Sequence, residues 1–147
     1  MKNIREALSR RQNGEAGFTL VEMLVVIVIV GILAAVAIPI YMNQRKNGWK
    51  SAVESDVKSA AVAISTEVAK NGIAKINVEC DATANGSNPN GHSVQAGDEK
   101  VNCSTGVKLV VAAKQNSDYF TVTGTRDNLN GTLVYDSENS TYNNQLS

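Results

Sequence analysis

Few side chains in this sequence have a type and spacing that could do chemistry, and the most informative is Glu22. It stands at the head of GFTLVEMLVVIVIVGILAAVAIPIYM, positions 17 to 42. Twenty residues without a charge follow, from Met23 to Met42. As a helix rising about 1.5 Å per residue, that is long enough to cross a bilayer core of ~30 Å. A carboxylate in such a segment costs roughly 2.5–3.5 kcal/mol on insertion scales. An anchor alone has no need of it. Glu22 therefore predicts a partner group that is met once the segment is in place, which is the chemistry of assembly.

The other reactive types are sparse. Cys80 and Cys103 bracket a long loop, and two cysteines in a small exported domain most simply form one disulfide. Closing such a loop stabilises by ~3 kcal/mol in the chain-entropy treatment. The alternative is a pair of free thiols. Asp81, Thr83, Asn85 and Gly86 match the start of a calcium loop, but His92 stands where its acidic ligand belongs, and Asp98-Glu99 are out of register. A turn is the better reading. His92 is the one histidine and lies among Asn, Gly and Ser, as a solvated loop residue would. No nucleophile motif, phosphate loop or zinc spacing occurs. The sequence thus predicts no catalytic residue, no metal, no cofactor and no enzyme.

Arg45, Lys46 and Lys50 form a basic collar beyond the apolar stretch. Contact with lipid headgroups is the favoured reading, with DNA or acidic neighbours as the alternative. Trp49 reads as part of a helix stripe, not as a base-stacking aromatic. Asn85, Asn102, Asn130 and Asn139 each begin an Asn-x-Ser/Thr triplet, as chance allows in so Asn-, Ser- and Thr-rich a region.

These residues need elements to position them. Positions 1–17 are polar, with Lys2, Arg5, Arg10 and Arg11 against Glu6 and Glu15. The small pair Ala16-Gly17 precedes the apolar stretch, so a cut there leaves the stretch on the mature chain, unlike an ordinary secretory signal. Counting Lys and Arg on both sides of the stretch gives no orientation. Without 1–17 the side chains sum to 10 − 12 = −2. That balance gives no push toward nucleic acid.

A helix is predicted from about Phe18 to Lys70. Its half at 18–42 is apolar all round. Its half at 43–71 is amphipathic, with Trp49, Val53, Val57, Ala60/Ala61, Ile64 and Val68 at three- and four-residue steps. Asn71-Gly72 reads as its stop. Gly31 lowers helix propensity, and Pro39 crowds the carbonyl of Ala35, so the helix is expected to break or loosen between them. The region 72–147 reads as one small β-sheet head domain with a mostly aliphatic core, so that helix and head together make an α+β fold. It holds an extended run at Ile73–Val78, strands at Val107–Ala113, Asp118–Gly124 and Thr132–Asp136, and a long loop at 81–106. An antiparallel meander of three or four strands follows, packed on the helix.

Gly17-Phe18-Thr19-Leu20-Val21-Glu22, after a short basic leader and before an unbroken apolar helix, closely resembles the processing motif of type IV pilins. The resemblance covers about residues 14–70. The run Ile38–Lys46 with Ser55–Ala61 is similar to pilins of Gram-positive actinobacteria. The resemblance implies cleavage between Gly17 and Phe18, N-methylation of Phe18, and pairing of Glu22 with a neighbouring subunit's Phe18 amine. It also implies that Gly31 to Pro39 extends on assembly, and that a fold of a long helical spine on a small antiparallel sheet builds an extracellular filament. Its partners would be copies of itself, a prepilin peptidase, an assembly platform with its ATPase, the membrane, and DNA or host-surface ligands. The precursor would sit in the cytoplasmic membrane, and the mature subunit in a surface pilus serving adhesion, motility or DNA uptake. A DNA-binding competence pilin and a secretion pseudopilin are the alternatives. Many pilins have their disulfide nearer the C-terminus, whereas 44 residues follow Cys103 here.

Overall fold

The computed structural model describes residues 18–73, 76, 78–83, 86, 92–114 and 117–147. The leader and Gly17 lie outside these, as do Asn85, Pro89, Asn90, Gly91 and three positions of the extended run expected at Ile73–Val78. Two compact units are distinguished, Met1–Met42 and Asn43–Ser147.

The helix α1 spans Leu20–Asn71. In the first unit its residues are nearly all exposed and apolar, and it is long and apolar enough to cross a membrane. Gly31 and Pro39 both lie within the helical run, and the helix assignment continues through each. Its end matches its composition: the Gly72 amide donates to the Val68 carbonyl at 2.9 Å, closing the last turn.

In the second unit, seven strands follow among the described residues: β1 (Val78–Asp81), β2 (His92–Ala96), β3 (Glu99–Cys103), β4 (Val107–Ala113), β5 (Phe120–Arg126), β6 (Leu133–Asp136) and β7 (Thr141–Asn144). A five-stranded antiparallel sheet has the order β1-β4-β5-β6-β7, and β2 pairs with β3 in a separate hairpin. The fold is α+β, with the amphipathic half of α1 packed on the sheet. Alternation decides which face is inward. Val107, Leu109 and Val111 of β4, Phe120 and Val122 of β5, and Leu133 of β6 are buried together with Val53, Val57, Ala60, Ala61 and Ile64 of α1.

Closest approach occurs over the middle strand. A Cβ built on Gly124 of β5 would lie 2.5 Å from Val57 Cγ2 and 2.8 Å from Val53 Cγ1. A glycine is required there for the helix to lie as close as it does.

Three expectations are corrected. The stretch 81–106 is not one loop, because it contains the β2–β3 hairpin. Val94 and Val101 are direct partners across it, and a two-residue turn at Gly97-Asp98 joins the strands. Of the extended run expected at Ile73–Val78, the described Ile73 and Ile76 form a turn, the Ile76 amide donating to the Ile73 carbonyl at 3.0 Å, and the first strand spans Val78–Asp81. The meander also gains β7, a wholly exposed edge strand.

Candidate assembly and latch sites

The N-terminal site begins with helix chemistry. The first amides of a helix lack internal partners. Here Thr19 and Glu22 answer that need reciprocally. The Thr19 amide and hydroxyl both donate to Glu22 Oε2, at 2.8 and 2.9 Å, and the Glu22 amide donates to Thr19 Oγ1 at 3.2 Å. This is a capping box, in which a threonine three residues before a glutamate fixes the helix start. Thr19-Leu20-Val21-Glu22 carried that signal in plain sequence, and Thr19 is the capping residue that motif reading passed over. The structure brings Thr19 to Glu22. Phe18 precedes the helix and is 78% exposed, with no hydrogen bond to Glu22. Among the described residues, the Glu22 carboxylate is thus held by the local and exposed Thr19.

A second set of carboxylates sits in the other half of α1. Asp56 and Glu67 are buried, although they fall between the apolar positions read as the stripe. Their spacing explains it: 53, 56, 57, 60, 61, 64 and 67 recur at three- and four-residue steps on one face. Buried carboxylates need partners. Asp56 receives the Ser104 amide at 2.7 Å and the Ser104 hydroxyl at 3.0 Å. Burial pushes the Asp56 carboxyl above its ordinary range, against the opposing pull of the Ser104 hydrogen bonds and the Arg126 charge. Glu67 receives the Asp98 amide at 3.0 Å and the Asn71 side-chain amide at 2.8 Å. A Cβ at position 97 would overlap the Glu67 carboxylate, and Gly97 has φ +66°, so this turn demands glycine twice over.

Cys80 of β1 and Cys103 of β3 are bonded to each other and buried, with their Cα atoms 6.2 Å apart. The β2–β3 hairpin is therefore held at three points: at its turn by Glu67, at its end by the disulfide, and just beyond it by Asp56. Asp81 accepts from the Thr83 hydroxyl at 2.6 Å and amide at 3.1 Å and faces Lys108 at 3.3 Å. The Thr83 hydroxyl is the main cause of its lowered pKa. Among the described residues no cluster of His, Cys, Asp and Glu is placed to hold a metal. Trp49 is partly buried against the core, with the Arg45 guanidinium 4.9 Å and that of Arg126 5.5 Å from its ring centroid.

A family model described as the prokaryotic N-terminal methylation motif matches residues 12–38. A type IV major fimbrial protein FimA of Dichelobacter nodosus is 30% identical over 141 residues, covering 76% of this chain and 88% of that protein. A second FimA of the same organism is 38% identical over 104 residues, 67% of this chain and 65% of its own length. The type II secretion system core protein G of Pseudomonas aeruginosa is 40% identical over 57 residues, 39% of each chain. The chain thus spans less than two thirds of the length of these last two relatives. No solved structure matches. With the motif at its N-terminus and an alignment to FimA that runs through both helix and head, the chain belongs to the type IV pilin family.

Proposed function

We propose that this chain is a structural subunit of an extracellular type IV pilus that polymerises through its apolar helix. The observation that carries the reading is the first half of α1, a long apolar surface left exposed by the subunit and headed by one carboxylate. Residues 1–17 serve as the leader, 18–42 as the membrane and filament-core segment, 43–71 as the amphipathic spine and 72–147 as the head. A prepilin peptidase cuts between Gly17 and Phe18, where the small Gly17 side lets the enzyme approach the backbone, and the new Phe18 amine is methylated. The precursor sits in the cytoplasmic membrane, and the assembly platform and its ATPase draw mature subunits into the fibre. Gly31 and Pro39 are where the helix extends as subunits pack, since Pro39 leaves the Ala35 carbonyl without an intrahelical donor.

Glu22 supplies register. A carboxylate in an apolar bundle needs a counter-charge. The methylated amine of a neighbouring subunit's Phe18 fits this, and its arrival replaces the local Thr19 bonds. The subunit is structural, not enzymatic. A secretion pseudopilin is less well supported, because that likeness covers only 57 residues.

Sheared surface fibres are the test. Mass spectrometry of their main subunit should give an N-terminus at methylated Phe18, and Gly17→Trp should leave unprocessed protein in the membrane. Fibre subunits that begin at Met1 would overturn the reading.

A further inference from the structure

The cations of the head fall into two groups. Lys70, Lys108 and Lys114 are each paired with a carboxylate, to Glu99, to Glu79 and Asp81, and to Asp136 and Glu138. Arg45, Lys46, Lys50, Lys58, Lys100 and Arg126 have none within ion-pair distance among the described residues. Asp56 lies farther from Arg126, and its carboxylate is already taken by Ser104. Arg45, Lys46 and Lys50 lie close together on α1, and Arg126 comes from the end of β5, 55 residues past the last residue of the helix. Trp49 joins the two sources, because its ring lies under both the Arg45 and the Arg126 guanidinium. The Nε of Arg126 is buried without a hydrogen-bond partner, so packing against Trp49, not hydrogen bonding, holds this arginine in place.

We infer that Arg45, Trp49 and Arg126, with Lys46 and Lys50 beside them, form a docking site for the phosphate of anionic lipid headgroups, used while the subunit is still in the membrane. The inference rests on the reading of 18–42 as the membrane segment. Arg45 lies three positions after Met42, at the headgroup level of such a segment. Basic residues there attract anionic lipid, and a tryptophan sits favourably at that depth. Guanidinium groups pair with phosphate in a forked geometry that ammonium cannot supply. A ring already stacked by two guanidinium groups is not free as a platform for bases, which favours lipid over nucleic acid. The helix collar alone would give a line of charge. Arg126 converts it into a patch shared by helix and sheet, so the head is held at the membrane surface.

Trp49 is the one tryptophan, so its fluorescence reports on the site. The full-length chain would be placed in nanodiscs of phosphatidylcholine alone or with a third phosphatidylglycerol, each with headgroup-nitroxide lipid as quencher. Quenching of Trp49 should be markedly stronger in the anionic discs and fall as salt is raised toward 1 M, where charges are screened within ~3 Å. Arg126→Gln should lower the docked-to-undocked ratio about five-fold. Arg45→Gln, on an exposed helix position that does not govern folding, should do the same. Equal quenching in neutral and anionic discs, or unchanged quenching in both variants, overturns the inference. So does an equal response when free inorganic phosphate or duplex DNA is added to neutral discs, which would reassign the site to those anions. If the chain fails to enter nanodiscs at all, the membrane reading fails with it, and that outcome is told apart by co-purification of protein with lipid.

Discussion

The two halves of α1 treat their carboxylates differently. In the first half, Glu22 is bound among the described residues by Thr19, three residues away and in the open. In the second half, Asp56 and Glu67 are buried and bound by backbone amides 48 and 31 residues distant. Local bonds of the first kind are cheap to exchange, since water or an incoming cation can replace them. Bonds of the second kind form only with the fold and leave stranded groups if broken. On the proposed reading, the same residue class serves as a connector toward other subunits at one end of the helix, and it is an internal latch at the other.

The sharpest way to break this contrast is Glu22→Ala. Processed subunits should accumulate in the membrane while sheared fibre yield falls by an order of magnitude or more, read by immunoblot of both fractions. Normal yield with normal processing would make Glu22 a headgroup contact and erase the distinction. The next effect belongs to the disulfide that closes the latched hairpin. Cys80→Ser with Cys103→Ser should cost about 3 kcal/mol in urea unfolding of the detergent-solubilised chain. Glu67→Ala should cost roughly 1–3 kcal/mol, because it removes the buried side chain that binds the Asp98 amide and the Asn71 side chain; a loss near zero would show that the latch is decorative.

Asp56 sharpens the contrast through pH. Its raised pKa means that the folded chain takes up the proton at a higher pH than the unfolded one. Stability should therefore fall as pH rises from the ordinary aspartate range to the raised folded value. Asp56→Asn should remove that slope, as seen in thermal midpoints across mildly acid buffers. The smallest effect is expected at Lys70, whose bond to Glu99 is exposed. Lys70→Ala should leave the midpoint unchanged within error, since exposed ion pairs add little.

Helix α1 was legible because its two hydrophobic patterns, continuous and then periodic, leave little choice. Strand β4 was legible over its full length, and β5 and β6 within two residues at each end, because Val, Leu, Phe and Tyr mark them. Other parts were hidden for physical reasons. The hairpin β2–β3 offers one valine per strand, and its place depends on Glu67, Asp56 and a disulfide, all remote in sequence. Strand β7, Thr-Tyr-Asn-Asn, buries no side chain, so it carries no alternation to read. Asp56 and Glu67 fall between the apolar stripe positions, where a charge ordinarily marks a solvent-facing residue. Their register on the buried face was present in the spacing, but only knowledge of the amides awaiting them makes a buried carboxylate acceptable. Arg126 could not be joined to the collar from sequence, because that requires the end of β5 to meet Trp49.

The glycine at the centre of the sheet has a mechanical consequence. Gly124 leaves room for Val53 and Val57 as a keyway receives a key, and a Cβ there would collide with both. On the proposed reading, a pull on the fibre enters each subunit along α1, and the keyed seat passes it to β5, the central strand of the sheet, before the edge strands feel it. Filling the keyway with Gly124→Ala should lower the force at which single subunits yield in an optical trap.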